Sequence, residues 1–169
     1  MRKSLQFELR KHRGRQLCPD FIADIAKRLE VAESNIALVD LETSDRFLEE
    51  ARNIAKAKHD ELEPYFKQLW HVEEIAEVVR AIEELRIETA DKPMLLYRRL
   101  SEYCGAVRVS LRQILTHTFS LVELDGEEVL AYTEDQKSGI RFGYYEDWSE
   151  RGSQNIYELV LWGKEWLND

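Results

Sequence analysis

Residues 119–145 read FSLVELDGEEVLAYTEDQKSGIRFGYY, and their pattern indicates antiparallel strands. Short apolar segments alternate here with turn signals, of which Asp125-Gly126 is the clearest, because glycine allows the positive φ of a tight turn. A further segment of the same kind follows near the end of the sequence. The regular spacing predicts an antiparallel meander of four strands, at residues 119–124, 128–133, 140–145 and 156–162.

The sequence before this stretch is predicted to be mainly helical. Apolar residues recur at helical spacing from Pro19 onward and again after Thr43 and Ser44, whose hydroxyls can cap a helix. The spacing is most regular over residues 65–85, which predicts a helix of about six turns. A further helix is expected at residues 95–103.

Two short segments fit more than one structure. Residues 36–39 fit a strand or a helix, and residues 106–115 fit both periods, with helix preferred. Because helices and strands are segregated along the sequence, the predicted fold class is α+β. A helical region over residues 1–116 is expected to pack against a four-stranded antiparallel meander over residues 117–169, in one compact domain.

The composition is typical of a folded domain with its own core. The 169 residues are 44% hydrophobic and 34% charged. Cys18 and Cys104 belong to no closely spaced pair, so we expect reduced thiols rather than a disulfide or a zinc site. No segment approaches the roughly 18 apolar residues of a membrane span, and the N-terminus lacks the apolar core of a secretory signal. We therefore expect a cytoplasmic protein that does not enter a membrane.

Negative charge is concentrated in the strand-rich part of the sequence. The formal net charge is −9, and residues 115–169 alone contain twelve acids and four bases, a net charge of −8. Such a field attracts basic surfaces and repels polyanions, whose binding requires clustered Lys and Arg. A basic protein or peptide is therefore the expected partner, and nucleic acid is less favoured.

One short segment combines aromatic rings with carboxylates and is the predicted contact patch. Tyrosine and tryptophan bury a large area while keeping a polar tip, and carboxylates pair with Arg or Lys of a partner. Alternatively, the rings point into the core and the acids only keep the loop solvated. The interface interpretation predicts an acidic protein-binding module that covers a basic site on a partner, in the physical style of inhibitor or immunity proteins. The predicted contacts are Tyr144, Tyr145, Glu146, Asp147, Trp148 and Glu150.

Residues 24–37, DIAKRLEVAESNIA, resemble the bacterial helix-turn-helix family. The resemblance lies in the apolar positions Ile25, Ala26, Leu29, Val31 and Ile36. It implies two helices within about residues 18–42, the second of which reads the major groove of DNA. The basic segment at residues 2–15 would then contact phosphates or the minor groove. A DNA-binding regulator is therefore an alternative function.

A third alternative is an enzyme whose site is assembled from distant segments. The sequence contains no phosphate-binding glycine loop, no nucleophile motif and no histidine pair at metal-ligand spacing. We therefore predict no catalytic residue, no metal and no cofactor. The regular apolar spacing of residues 65–85 also suggests a homodimer, formed by packing that helix against a second copy.

Overall fold

The computed structural model describes residues 4–57, 64–125, 128–149, 152–163 and 166. In these residues the helices are α1 (Leu5–Arg28), α2 (Leu41–Ala57), α3 (Ile75–Glu88), α4 (Ser101–Cys104), α5 (Leu111–Thr116) and α6 (Thr118–Asp125). The strands are β1 (Ala37–Leu38), β2 (Pro64–His71), β3 (Pro93–Tyr97), β4 (Val107–Ser110), β5 (Glu128–Thr133), β6 (Gly139–Ser149) and β7 (Gly152–Trp162). The predicted mixed architecture, with helices toward the N-terminus and strands toward the C-terminus, is confirmed.

The strands form one seven-stranded antiparallel sheet in the order β1-β4-β3-β5-β6-β7-β2. Its last three strands in sequence, β5, β6 and β7, form a meander, as predicted. However, β3 pairs with the other side of β5, and β2 pairs with the outer side of β7. The predicted four-stranded meander is therefore wrong in extent, because four of the seven strands come from the region predicted to be helical.

The predicted first strand of the meander, at residues 119–124, is helical. It lies in α6, which follows α5 after a single residue, His117. The Thr118 hydroxyl donates a hydrogen bond to the Ile114 carbonyl and so links the two helices. Leu121 and Val122 are both buried, although they are neighbours in sequence. A strand covered on one face would bury only one of them, whereas a helix can direct both toward the core.

The long helix predicted at residues 65–85 is also wrong. The segment begins in β2, turns at Val72–Glu74 and continues as α3. The backbone N–H of His71 donates to the Glu74 carboxylate at 2.7 Å, which caps the turn that leads into α3. Tyrosine, phenylalanine and tryptophan favour strands, and pairing with β7 stabilises the strand. The homodimer prediction thus loses the continuous helix on which it was based.

The segment around Gly105 contains strands where helices were preferred. Residues 95–103 lie mostly in β3 and α4 rather than in one helix, and residues 106–115 divide between β4 and α5. Ser110 marks that division, because its hydroxyl accepts from the Gln113 N–H at the start of α5. Gly105 has φ +88°, and a Cβ atom there would collide with the Val39 carbonyl oxygen. The turn therefore requires glycine.

The helix-turn-helix interpretation is wrong. Its predicted first helix is the end of α1, which begins at Leu5 and continues through Pro19. Glu30 then adopts φ +55°, after which the chain forms a single 3-10 turn at Glu33–Asn35 and the short strand β1. No helix therefore occupies the position of a recognition helix, since α2 begins only at Leu41.

The two faces of the sheet are covered to different extents. On one face, α1, α3, α5 and α6 enclose the larger core, which includes Phe21, Ile82, Ile114, Leu121, Phe142 and Leu159. On the other face a smaller core is formed by Val39, Leu95, Tyr97 and Ala106, with Phe47 and Leu48 of α2 packed against it. The smaller core lies at one end of the sheet, so α2 covers the region of β3. Among the described residues, α2 does not extend over β6 and β7.

Cys18 of α1 and Cys104 of α4 form a disulfide, with their Cα atoms 5.4 Å apart. The prediction of two reduced thiols is therefore wrong. The two helices approach closely because Gly14 has no side chain, and a Cβ atom there would collide with the Tyr103 carbonyl oxygen. Sequence spacing could not show this contact, since 86 residues separate the two cysteines.

In the part of the chain that the structure describes, each helix is too short or too polar to cross a lipid bilayer.

Loss of the disulfide should destabilise the fold. Replacing both Cys18 and Cys104 with serine frees a long loop in the unfolded state, and we expect the free energy of unfolding to fall by about 2–4 kcal/mol. Urea denaturation of the wild type, with and without a thiol reductant, and of the double variant measures this change. Equal midpoints in all three samples would contradict it.

Candidate binding groove on the sheet

Side-chain alternation along β6 separates two sets of residues. Phe142 is fully buried among the helices, whereas Arg141, Gly143 and Tyr145 lie on the opposite face of the sheet. In register with these three residues on β7 are Val160, Glu158 and Ile156. On this face the described residues include no helix packed over β6 and β7. We call this area the open face.

A groove of about 620 Å³ crosses the open face and is the candidate binding site. We call it the sheet groove. Its walls come from β5, β6 and β7, so antiparallel pairing holds its position. Three carboxylates and one guanidinium line it, which makes its charge predominantly negative. The lining residues are Glu128, Arg141, Gly143, Tyr144, Tyr145, Glu146 and Glu158.

Glu158 is the most buried charged group of the sheet groove, with 5% of its surface exposed. The Arg141 guanidinium forms a close ion pair with its Oε2, and Lys67 Nζ lies 3.6 Å from its Oε1. The strand β7 holds Glu158 between β6 and β2, which supply the two cations. Burial of a carboxylate is costly unless it is paired, and here two cations offset that cost.

The structure places the two tyrosines of the predicted contact patch on opposite faces of the sheet. Tyr145 lies on the open face, and Glu146 is exposed at the edge of the sheet groove. Tyr144 turns its ring to the helical side and packs against Tyr157, with ring centroids 5.1 Å apart. The alternative interpretation, rings in the core, therefore describes Tyr144 but not Tyr145. Successive residues of a strand point to opposite faces, which separates the two tyrosines.

Two further residues of the patch are described by their backbone alone. Asp147 and Trp148 continue the backbone of β6, where they pair with Gln154 and Ser153. Glu150 lies outside the described residues.

The sequence interpretation missed three contributors to the sheet groove and its charge cluster. Glu158 could have been identified from the sequence, because it is a lone acid in the apolar strand 156–162. Arg141 could also have been identified, because it alternates with the apolar residues Ile140 and Phe142. Lys67 could not, because residues 64–71 were predicted to be helical and pair with β7 only through the tertiary fold.

Acids of the C-terminal segment also lie away from the sheet groove. Glu123 pairs with Arg28 of α1 at 2.9 Å, and Glu134 pairs with Arg108 of β4 at 3.1 Å. Asp135 accepts from the Thr133 hydroxyl, and this hydrogen bond lowers the pKa of Asp135. The concentrated charge seen in the sequence is thus distributed over several sides of the fold, and only part of it surrounds the groove.

A second cavity, of about 760 Å³, lies between α2 and the ends of β3 and β5. We call it the arginine cleft, after the four lining residues Arg10, Arg52, Arg98 and Arg99. It shares Glu128 with the sheet groove, so the two cavities adjoin. Burial raises the pKa of Tyr97, which also lines the cleft, to about 12. Tyr97 is therefore protonated at neutral pH, and its hydroxyl donates to the Ser44 carbonyl at 3.2 Å.

Among the described residues, no group of three or more His, Cys, Asp and Glu side chains is arranged to hold a metal ion. Comparison with known proteins gives no match: no family model fits the sequence, and no curated protein and no solved structure is similar to it.

Removing the carboxylate of Glu158 should cost more stability than removing an exposed one. Glu158→Gln leaves Arg141 and Lys67 without their shared anion, and we expect the free energy of unfolding to fall by about 1–2 kcal/mol, since both cations are partly exposed. Glu134→Gln is the matched control, because the Arg108–Glu134 pair is solvent-exposed on both sides. We expect a change below about 0.5 kcal/mol there. Equal losses in urea denaturation would contradict the prediction.

Proposed function

We propose that this protein is a protein-binding module, which binds a basic site of a partner protein in the sheet groove. The observation that carries the proposal is the groove itself, a cavity lined by Glu128, Glu146 and Glu158. Arg141 and Lys67 already pair with Glu158, so three carboxylates stand against two cations. A partner cation entering it meets carboxylates that are held by paired strands. Preorganised charges of this kind favour specific association with the opposite charge.

Apolar side chains near the charge cluster support a macromolecular partner. Leu69 of β2 is 52% exposed and pairs in register with Glu158. Tyr145 of β6 is 43% exposed and lies two residues along β6 from Gly143, the register partner of Glu158. Exposed tyrosine and leucine beside a polar cavity are the pattern of a protein contact, in which the rings and aliphatic groups lose water and the charges set the orientation.

The charge of the whole chain supports a basic partner. The net charge of −9 steers positively charged proteins toward the molecule and repels polyanions. Nucleic acid would have to approach carboxylates in the groove, which offers only one guanidinium for a phosphate. Covering a basic site in this way would block that site on the partner, as an inhibitor or immunity protein does.

The test compares two double variants that remove the same number of charges. Tyr145→Ala with Glu128→Gln alters the sheet groove, whereas Val79→Ala with Glu83→Gln alters exposed positions of α3. Each form of the protein is used to retain proteins from a native lysate at low salt. A protein that the wild type and the α3 variant retain, and that the groove variant does not retain, is a candidate partner. We expect such a partner to be basic, and its association with the purified wild type to slow as salt rises.

The proposal is wrong if the groove variant retains the same partners as the α3 variant. It is also wrong if the association rate of a groove-dependent partner does not change with ionic strength. Circular dichroism of both variants controls for loss of fold.

A further inference from the structure

We propose that the arginine cleft binds the oxyanion group, a carboxylate or a phosphate, of a small molecule. The volume of about 760 Å³ falls within the range of about 300–1,000 Å³ that is usual for small-molecule pockets. This site lies beside the sheet groove and shares only Glu128 with it. The residues assigned to the anion are not part of the sheet groove, so the inference does not depend on the proposed function.

The floor of the cleft presents hydroxyl donors. Ser44 and Ser101 are 2% and 4% exposed, and both line the cavity. The Ser44 hydroxyl accepts from the Ala106 N–H at 2.9 Å, and the Ser101 hydroxyl accepts from the Arg98 N–H at 3.0 Å. Each hydroxyl has one hydrogen of its own to donate. Within the described residues neither donates it to a protein atom, so both are suited to a ligand that accepts hydrogen bonds.

Two of the four arginines form the walls of the cleft. Arg10 donates to both carboxylate oxygens of Asp45, at 3.0 and 2.9 Å, and to the Glu102 carbonyl. Arg98 is buried and donates to the Leu121 carbonyl at 2.6 Å and to the Glu128 carbonyl. These bonds fix both guanidinium groups in place.

Arg52 is the residue that we assign to the anion. It lies one turn after Leu48 on the side of α2 that lines the cleft. In the described structure its guanidinium has no hydrogen-bond or ion-pair partner. Burial raises the pKa of Tyr132, and the positive charge of Arg52 opposes part of that rise. A guanidinium so placed can bind a carboxylate or a phosphate in a bidentate manner.

The local charge also favours an anion. Four arginines line the cleft against three acids, Asp45, Glu102 and Glu128. The cleft is therefore positive in a protein whose net charge is −9. That contrast restricts binding to ligands small enough to enter the cavity, since a large polyanion would be repelled by the rest of the surface.

Calorimetric titration at low ionic strength tests the site, with inorganic phosphate and succinate as probes and chloride at matched ionic strength as the reference. We expect saturable binding of at least one probe, and the comparison of the two identifies the source of the oxyanion. Arg52→Ala should weaken that binding by about tenfold or more. Arg112→Ala is the matched control, because Arg112 is an exposed arginine of α5 on the helical side of the sheet.

Three results would overturn the inference: no saturable binding of either probe, equal heats with chloride, or equal weakening by Arg52→Ala and Arg112→Ala. Partner retention by Arg52→Ala is measured in parallel. A variant that loses anion binding but keeps its protein partner separates this site from the sheet groove, and failure of either proposal leaves the other standing.

Discussion

The pairing of β6 with β7 determines which side chains enter the helical core and which line the sheet groove. It extends over eleven register positions, from Gly139 with Trp162 to Ser149 with Gly152. Because side chains alternate along both strands, this one register sends Phe142 and Leu159 into the helical core and Arg141 and Glu158 to the open face. A shift of one residue would bury the ion pair among the helices and expose the apolar core, so the core and the groove are specified together.

The sequence predicted the elements whose signals are local. Residues 128–133, 140–145 and 156–162 are strands, because alternation and turn residues act over short distances. Residues 119–124 are helical rather than a strand, because a short apolar segment has no period that distinguishes the two structures. Residues 64–71 are a strand rather than a helix, because pairing with β7 determines the structure of β2. The same distinction applies to the candidate site. A local sequence pattern was enough to predict Tyr145 and Glu146, whereas Lys67 and the arginine cleft are brought into place only by tertiary packing.

Two adjoining cavities of opposite charge result from the unequal cover of the sheet. The helix α2 lies over one end of the sheet and contributes Arg52 and Ser44 to the arginine cleft, whereas the open face retains carboxylates. Glu128 belongs to both cavities, at the first residue of β5. A single acidic sequence can therefore offer a basic group to one ligand and acidic groups to another, because the fold rather than the net charge sets the local potential.

The outer position of β2 has a consequence during synthesis. Its partner β7 begins at Gly152, whereas β2 ends at His71. Roughly 80 residues are therefore translated in between, which takes about 4–16 s at ribosomal rates of about 5–20 residues per second. During that time, Trp70 and the backbone N–H groups of β2 lack the strand with which they later pair. The ribosome-bound chain thus passes through a period of exposure that the finished protein does not have.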